Sequence, residues 1–517
     1  MIKRKLIVAG LIGAALGLGA VPAYAHGFGQ RYDLPVPLNL FLVGAAATVA
    51  LSFVVIGLFV RGRASEFRYP RYDLLASGRA SAFLANPLLV VPVRLVAVAL
   101  FLLIVATALF GTERPVENLA PTMVWVIWWV GMGYIVALLG NLWALINPWK
   151  AIFEVGARLM GDDGGGAGRE TAMFRYPEKL DVWPALLLFL VFAWLENVYT
   201  DGAQPLKLGI LVLLYTTITL GGMVAFGKHT WLRHGEAFSV LFGFFSRFSL
   251  TEVRVSDTSV CRGCDAECAL AVEGCVDCYQ CFEAASRESR ELNLRPFAVG
   301  LAHPSRVSAA TAVFVILALA TVTFDGLTAT PGWVDFQTAV YRTASLAGAN
   351  AVTVIDTAGL VLLPVVFLSV FLVFSWAIRQ LSGEPVPVSD VVRGFVFSLV
   401  PIALAYNLAH FLSLLLIQGQ LIVPLVSDPF GLDWDLFGTA DYGINIGVIN
   451  AKFAWYISVA AIVTAHIISI YIAHVIALRR VPDHLMALRG QYPMMMLMVL
   501  YTATSLWIIA QPIVAEG

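Results

Sequence analysis

The sequence is poor in charge, and cysteine is missing from all but one short stretch. Charged residues make up 13% of its 517 positions, about half the share of an ordinary soluble domain. With 59% hydrophobic residues and a mean hydropathy of +0.81, that scarcity excludes a soluble globular chain. Polarity does not alternate over short segments either, as a transmembrane β-barrel would require. The run Gly161-Asp-Asp-Gly-Gly-Gly-Ala-Gly168 lacks the Gly-Lys-Ser/Thr ending of a phosphate loop and reads as a linker.

What is present is apolar sequence in continuous blocks of about 20 residues, the length a helix needs to cross a bilayer. The expected fold is an all-α polytopic bundle. Spans are placed near 38–60, 87–110, 123–146, 182–200, 207–226, 307–325, 358–380, 395–417, 455–477 and 493–514. Before them, Lys3-Arg4-Lys5, the apolar stretch Leu6–Val21 and Ala23-Tyr24-Ala25 form the three parts of a secretory signal peptide. The expected organisation is therefore 1–25 signal, 26–226 spans one to five, 227–306 a cytoplasmic loop, and 307–517 spans six to ten.

Charge orients the bundle. With residue 26 outside, 25 of the 33 basic residues fall in inner loops and five fall outside: Arg31, Arg114, Lys207, Arg342 and Lys452. The remaining three belong to the signal. Basic residues beside spans resist translocation, so the expected setting is a bacterial inner membrane with both termini outside. The outer side collects acids, among them Asp33, Glu117, Asp201, Asp325, Asp356 and Asp435, a surface suited to attracting cations. Within the long inner loop, Ala237–Phe248 is apolar and is expected to lie in the interface or under the bundle.

All six cysteines fall within 21 residues of that loop: Cys261, Cys264, Cys268, Cys275, Cys278 and Cys281. Two-residue gaps let successive thiolates converge, and a reducing cytoplasm disfavours disulfides, so a metal is expected. Zinc leads as a structural ion held by thiolates. Cys275, Cys278 and Cys281 also match three consecutive ligands of a ferredoxin-type iron–sulfur cluster, without its closing Cys-Pro.

Ionisable residues inside spans are costly and mark function. Here they are Glu196, His410, His466 and His474. At 1.5 Å per residue, Glu196 lies roughly 20 Å beyond Trp183, His410 roughly 25 Å beyond Arg393, and His466 roughly 16 Å in from Trp455. Glu196, His410 and His466 make the donor set of a catalytic zinc site that would activate water. Alternatively, His410 and His466 could serve as axial haem ligands. After signal cleavage, His26 would offer an amine and an imidazole to copper or zinc.

Several segments resemble a bacterial membrane-protein family often labelled fenitrothion hydrolase. They are Ala25-His26-Gly27 with Asp33-Leu-Pro-Val-Pro37, Gly235–Gly243, Pro401–His410, Ser427–Gly431, Trp434–Gly438, and the helix bearing His466 and His474. The resemblance implies a membrane-bound hydrolase of organophosphate esters with a second membrane subunit. The expected activity is thus metal-dependent ester hydrolysis of a small hydrophobic substrate at the outer face. A cation transporter and a haem or iron–sulfur redox subunit are the alternatives. Lipid is an expected partner; nucleic acid is not.

Overall fold

The computed structural model describes residues 32–60, 69–77, 87–160, 172–263, 275–303, 307–343, 350–383, 385–481 and 483–515. The signal segment, His26, Cys264 and Cys268 lie outside the described residues, as does the side chain of Cys261.

Among the described residues, ten helices are long and apolar enough to cross a membrane: Leu38–Phe59, Leu88–Phe110, Leu119–Leu139, Glu178–Asn197, Pro205–Phe226, Ala309–Thr328, Ala351–Ser382, Val388–Ser427, Ala451–Arg480 and His484–Ile513. The protein is an all-α polytopic membrane bundle, as its hydropathy predicts. Each expected span has its helix, and the differences lie at the ends. The third helix stops at Leu139 and not near 146, because Gly140 adopts φ +133° and turns the chain. A Cβ there would lie 2.0 Å from Thr251 Oγ1, so only glycine lets this turn meet the sheet described below.

The sixth, eighth, ninth and tenth helices form the centre. The sixth is enclosed on all sides, with every residue from Phe314 to Thr321 buried. Against lipid tails the apolar effect between helices is small, so close packing and buried polar ties hold such bundles together. One tie is His474, whose Nδ1 meets Gln491 Oε1 and whose Nε2 meets the Val60 carbonyl, both at 2.8 Å. It links the first, ninth and tenth spans.

The apolar segment after residue 227 inserts into the bundle. Helix Lys228–His234 leads in, and helix Ala237–Ser246 leads back with eight of its ten residues buried. Glu236 sits at the turn between them, fully buried. Its carboxylate accepts from the backbone N–H groups of Phe238 and Ser239, at 3.0 and 2.7 Å, capping the second helix. It also accepts the Tyr215 hydroxyl at 2.5 Å. Tyr215 is midway along the fifth span, so the tip of this hairpin reaches the middle of the bundle. Of the two expected positions, interface or under the bundle, helix Ala237–Ser246 thus takes a deeper version of the second.

A four-stranded antiparallel sheet caps the same end. Its order is Tyr72–Asp73, Arg290–Leu294, Thr251–Val255, Cys275–Val276, with Val253 opposite Leu292 and Val255 opposite Cys275. Arg295, fully buried beneath it, bonds Glu252 at 2.9 Å and Asp277 at 3.1 Å. At the opposite end, Tyr32–Asp33 pairs in parallel with Val514–Ala515, bringing the two ends of the described chain together.

Candidate functional site

Four spans and the inserted helix surround a cavity of about 20 Å³, lined by Glu196, Asp325, Asn407, Thr321, Trp129 and apolar side chains that include Leu241 and Phe245. That volume holds about one water molecule. Glu196 comes from the last turn of the fourth span, and Asp325 from the last turn of the sixth. Both carboxyls are partly exposed. His410, on the eighth span, is 1% exposed, and its Nε2 lies 2.8 Å from Asp325 Oδ2.

Each acid is held by a neighbour. Over Thr122–Gly131 the third span widens into a π-helix, a winding common at functional sites. There Trp129 Nε1 donates to Glu196 Oε1 at 2.5 Å. Tyr406 stacks on His410 with ring centroids 6.3 Å apart. Its hydroxyl nestles against Gly326, where a Cβ would come within 2.2 Å of it. The lack of a side chain at 326 thus lets the phenol sit beside Asp325. The Tyr406 hydroxyl has no hydrogen-bond partner among the described residues.

Two carboxyls and an imidazole therefore meet inside an apolar bundle. Two carboxylates sharing a low-dielectric site are stable together only with a proton or another cation between them. Imidazole and carboxylate oxygen are ligand types that suit zinc, iron and manganese, but these three ligand atoms do not converge within 4.8 Å of one another.

The sequence-predicted residues distribute as follows. Glu196 lines the cavity, and His410 joins it through Asp325. His466 does not line it: its Nδ1 meets the Ile462 carbonyl at 2.8 Å, and its ring lies against Tyr501 at 6.2 Å. Asp325, grouped by sequence with the outer-side acids, lies within the sixth helix and supplies the second carboxyl. It fell at the edge of the expected span, where hydropathy cannot tell a loop acid from one facing inward. Glu236, the buried cap of the inserted helix, was also missed. The visible signal was a lone glutamate opening the apolar run Ala237–Phe248.

At the sheet end, Cys275, Cys278 and Cys281 have Sγ atoms all within 4.8 Å of one another. Among the described residues, this is the group of three or more His, Cys, Asp or Glu side chains placed to hold one ion. Nearby, Glu283 receives Lys150 and Arg94, and Glu154 receives Arg94 and Lys228, so a charged network joins this segment to the bundle. Burial raises the Glu283 carboxyl, but Lys150, His229 and Lys228 together hold it below its ordinary range. No family model, curated protein or solved structure matches the chain.

Proposed function

We propose that this membrane protein takes up a cation at the cavity lined by Glu196 and Asp325, with His410 behind Asp325, and handles it as a transporter or metal-handling protein. The observation that carries this reading is the pairing of two carboxyls in one cavity with an imidazole on the second of them. A site with two fixed acids and room for about one water suits a bare ion or proton. It does not suit an aryl phosphotriester, which fills a pocket of about 300 Å³ or more. Organophosphate hydrolysis, which the family resemblance implies, therefore finds less support at this site than cation binding.

In this reading the basic loops and the sheet face the cytoplasm, and the paired termini face outward. The cavity then lies in the outer half of the membrane, below the acidic loops that draw cations in. Asp325 and Glu196 supply the charge, and Trp129 orients Glu196. His410 holds Asp325 in place.

Reconstitution into liposomes tests this. Purified protein should move zinc or manganese, read by a luminal metal indicator, or protons, read by a luminal pH dye. Glu196→Gln and Asp325→Asn should each cut the rate at least about tenfold while the protein stays monodisperse, since changing even a group behind a ligand costs about 10–100-fold. Unaltered rates in both variants would overturn the assignment. So would a wild-type protein that moves neither ion but cleaves an aryl phosphotriester.

A further inference from the structure

The cysteine-bearing segment is folded so that three thiols point at one spot. Cys275 opens the strand paired with Val255, Cys278 immediately precedes helix Tyr279–Ala284, and Cys281 lies on that helix. The strand and the turn after it carry the first two thiols toward the helix. The spacing of three between Cys278 and Cys281 sets the third on the same side. Cys275 and Cys281 are 2% and 1% exposed, and Val255, Val260, Phe282 and Ala285 pack around the group. This apolar wall limits water around the sulfurs.

We propose that Cys275, Cys278 and Cys281 bind a single thiophilic ion of the zinc class, and that this ion clamps helix Tyr279–Ala284 onto the end of the bundle. Size decides between one ion and a cluster. Thiolates about 2.3 Å from a tetrahedral zinc stand about 3.8 Å apart. The three sulfurs here, all within 4.8 Å, are already near that spacing. A 4Fe–4S cluster places each thiolate on a different iron and holds the sulfurs farther apart. On binding, three thiols release three protons and the ion takes three thiolates, leaving one net negative charge. Arg290 stands beside it, donating to the Glu283 and Ala285 carbonyls with its guanidinium 5.5 Å over the Phe282 ring.

The clamp matters because of what the helix carries. Six residues are too few to hold a helix unaided. Two of its positions reach the bundle: Tyr279 is half-buried and accepts from the Asn141 backbone, and Glu283 accepts from Lys150, itself 5% exposed, and from Arg94 at 3.4 Å. Fixing Cys278 and Cys281 fixes Glu283 between the second span and helix Pro148–Leu159.

This proposal is independent of the intramembrane cavity, since its test reads metal and not transport. Full-length protein purified without chelator should hold zinc that elemental analysis detects, with no visible absorption band. Cys275→Ser and Cys281→Ser should each lose about one equivalent per chain. Titrating the wild-type thiols with a mercurial should release the same equivalent to a colorimetric zinc indicator, a measurement that needs no variant to fold. Metal removal should also open the chain to protease between 275 and 294. Absence of zinc from the wild-type protein would overturn the proposal. So would iron with labile sulfide and a visible band, or zinc content unchanged in both variants and after thiol titration.

Discussion

Gly326→Ala probes the arrangement around Asp325 through one methyl group. The added Cβ would lie 2.2 Å from Tyr406 Oη and 3.0 Å from Ile508 Cγ2. Non-bonded heavy atoms settle about 3.5 Å apart, so the phenol must retreat by roughly 1 Å. Tyr406 is fully buried, and its ring stacks on His410, leaving no free direction. Overpacking of this kind costs about 1–3 kcal/mol. The better helix propensity of alanine returns at most about 1 kcal/mol, so a net loss of about 1–2 kcal/mol is expected. The displaced ring should also disturb the 2.8 Å contact between His410 and Asp325.

Tyr406→Phe supplies the matching change. It removes an oxygen without a hydrogen-bond partner among the described residues, so alone it should cost little. Combined with Gly326→Ala it leaves Ile508 Cγ2 at 3.0 Å and Tyr406 Cζ at 3.2 Å as the nearest atoms, separations that small shifts relieve. Thermal unfolding of the four proteins in one detergent, at one scan rate, gives the cycle. Gly326→Ala should unfold lowest and the double variant should recover to near wild type, a coupling of about 1–2 kcal/mol. A fixed scan rate matters because detergent-solubilised proteins rarely refold. Simple addition of the two effects, or a neutral Gly326→Ala, would refute the reasoning.

Two further outcomes concern the end that carries the sheet. Burial and the neighbouring Lys228 and Lys150 push His229 down from 6.5 to about 4, against the pull of Glu283 and Glu154. The unfolded chain therefore takes up this proton first, and the stability contributed is complete above about pH 6.5 and declines as pH falls toward 4. His229→Gln should flatten the fall in unfolding midpoint between those values, and an unchanged pH profile counts against the effect. Arg295→Met leaves the Glu252 and Asp277 carboxylates facing each other in a buried site and should cost about 3–5 kcal/mol. Arg295→Lys should recover only part, since an ammonium lacks the planar fork whose other arms donate to the Ser246 and Ser249 carbonyls. Limited proteolysis of the 251–294 region reads both, and equal protection in all three proteins would rule this role out.

The ten spans were legible from sequence because the property that defines them, about 20 consecutive apolar residues, is local. Glu196 and His410 were legible for a related reason: an ionisable group inside such a run stands out whatever it touches. Asp325 did not stand out, because it sits where the apolar run ends and one-dimensional hydropathy cannot say which way an end faces. Its partner His410 is 85 positions away, and only the packing of the sixth span on the eighth joins them. The ten residues of Ala237–Ser246 are too few to span a membrane, so hydropathy alone could not show that they line the cavity. The cysteines were conspicuous as a group, yet which of them converge depended on Cys275 pairing with Val255, a register set between distant strands. Length and apolarity act along the chain and can be read from it; the meeting of donors is set by how helices pack, and appears only in three dimensions.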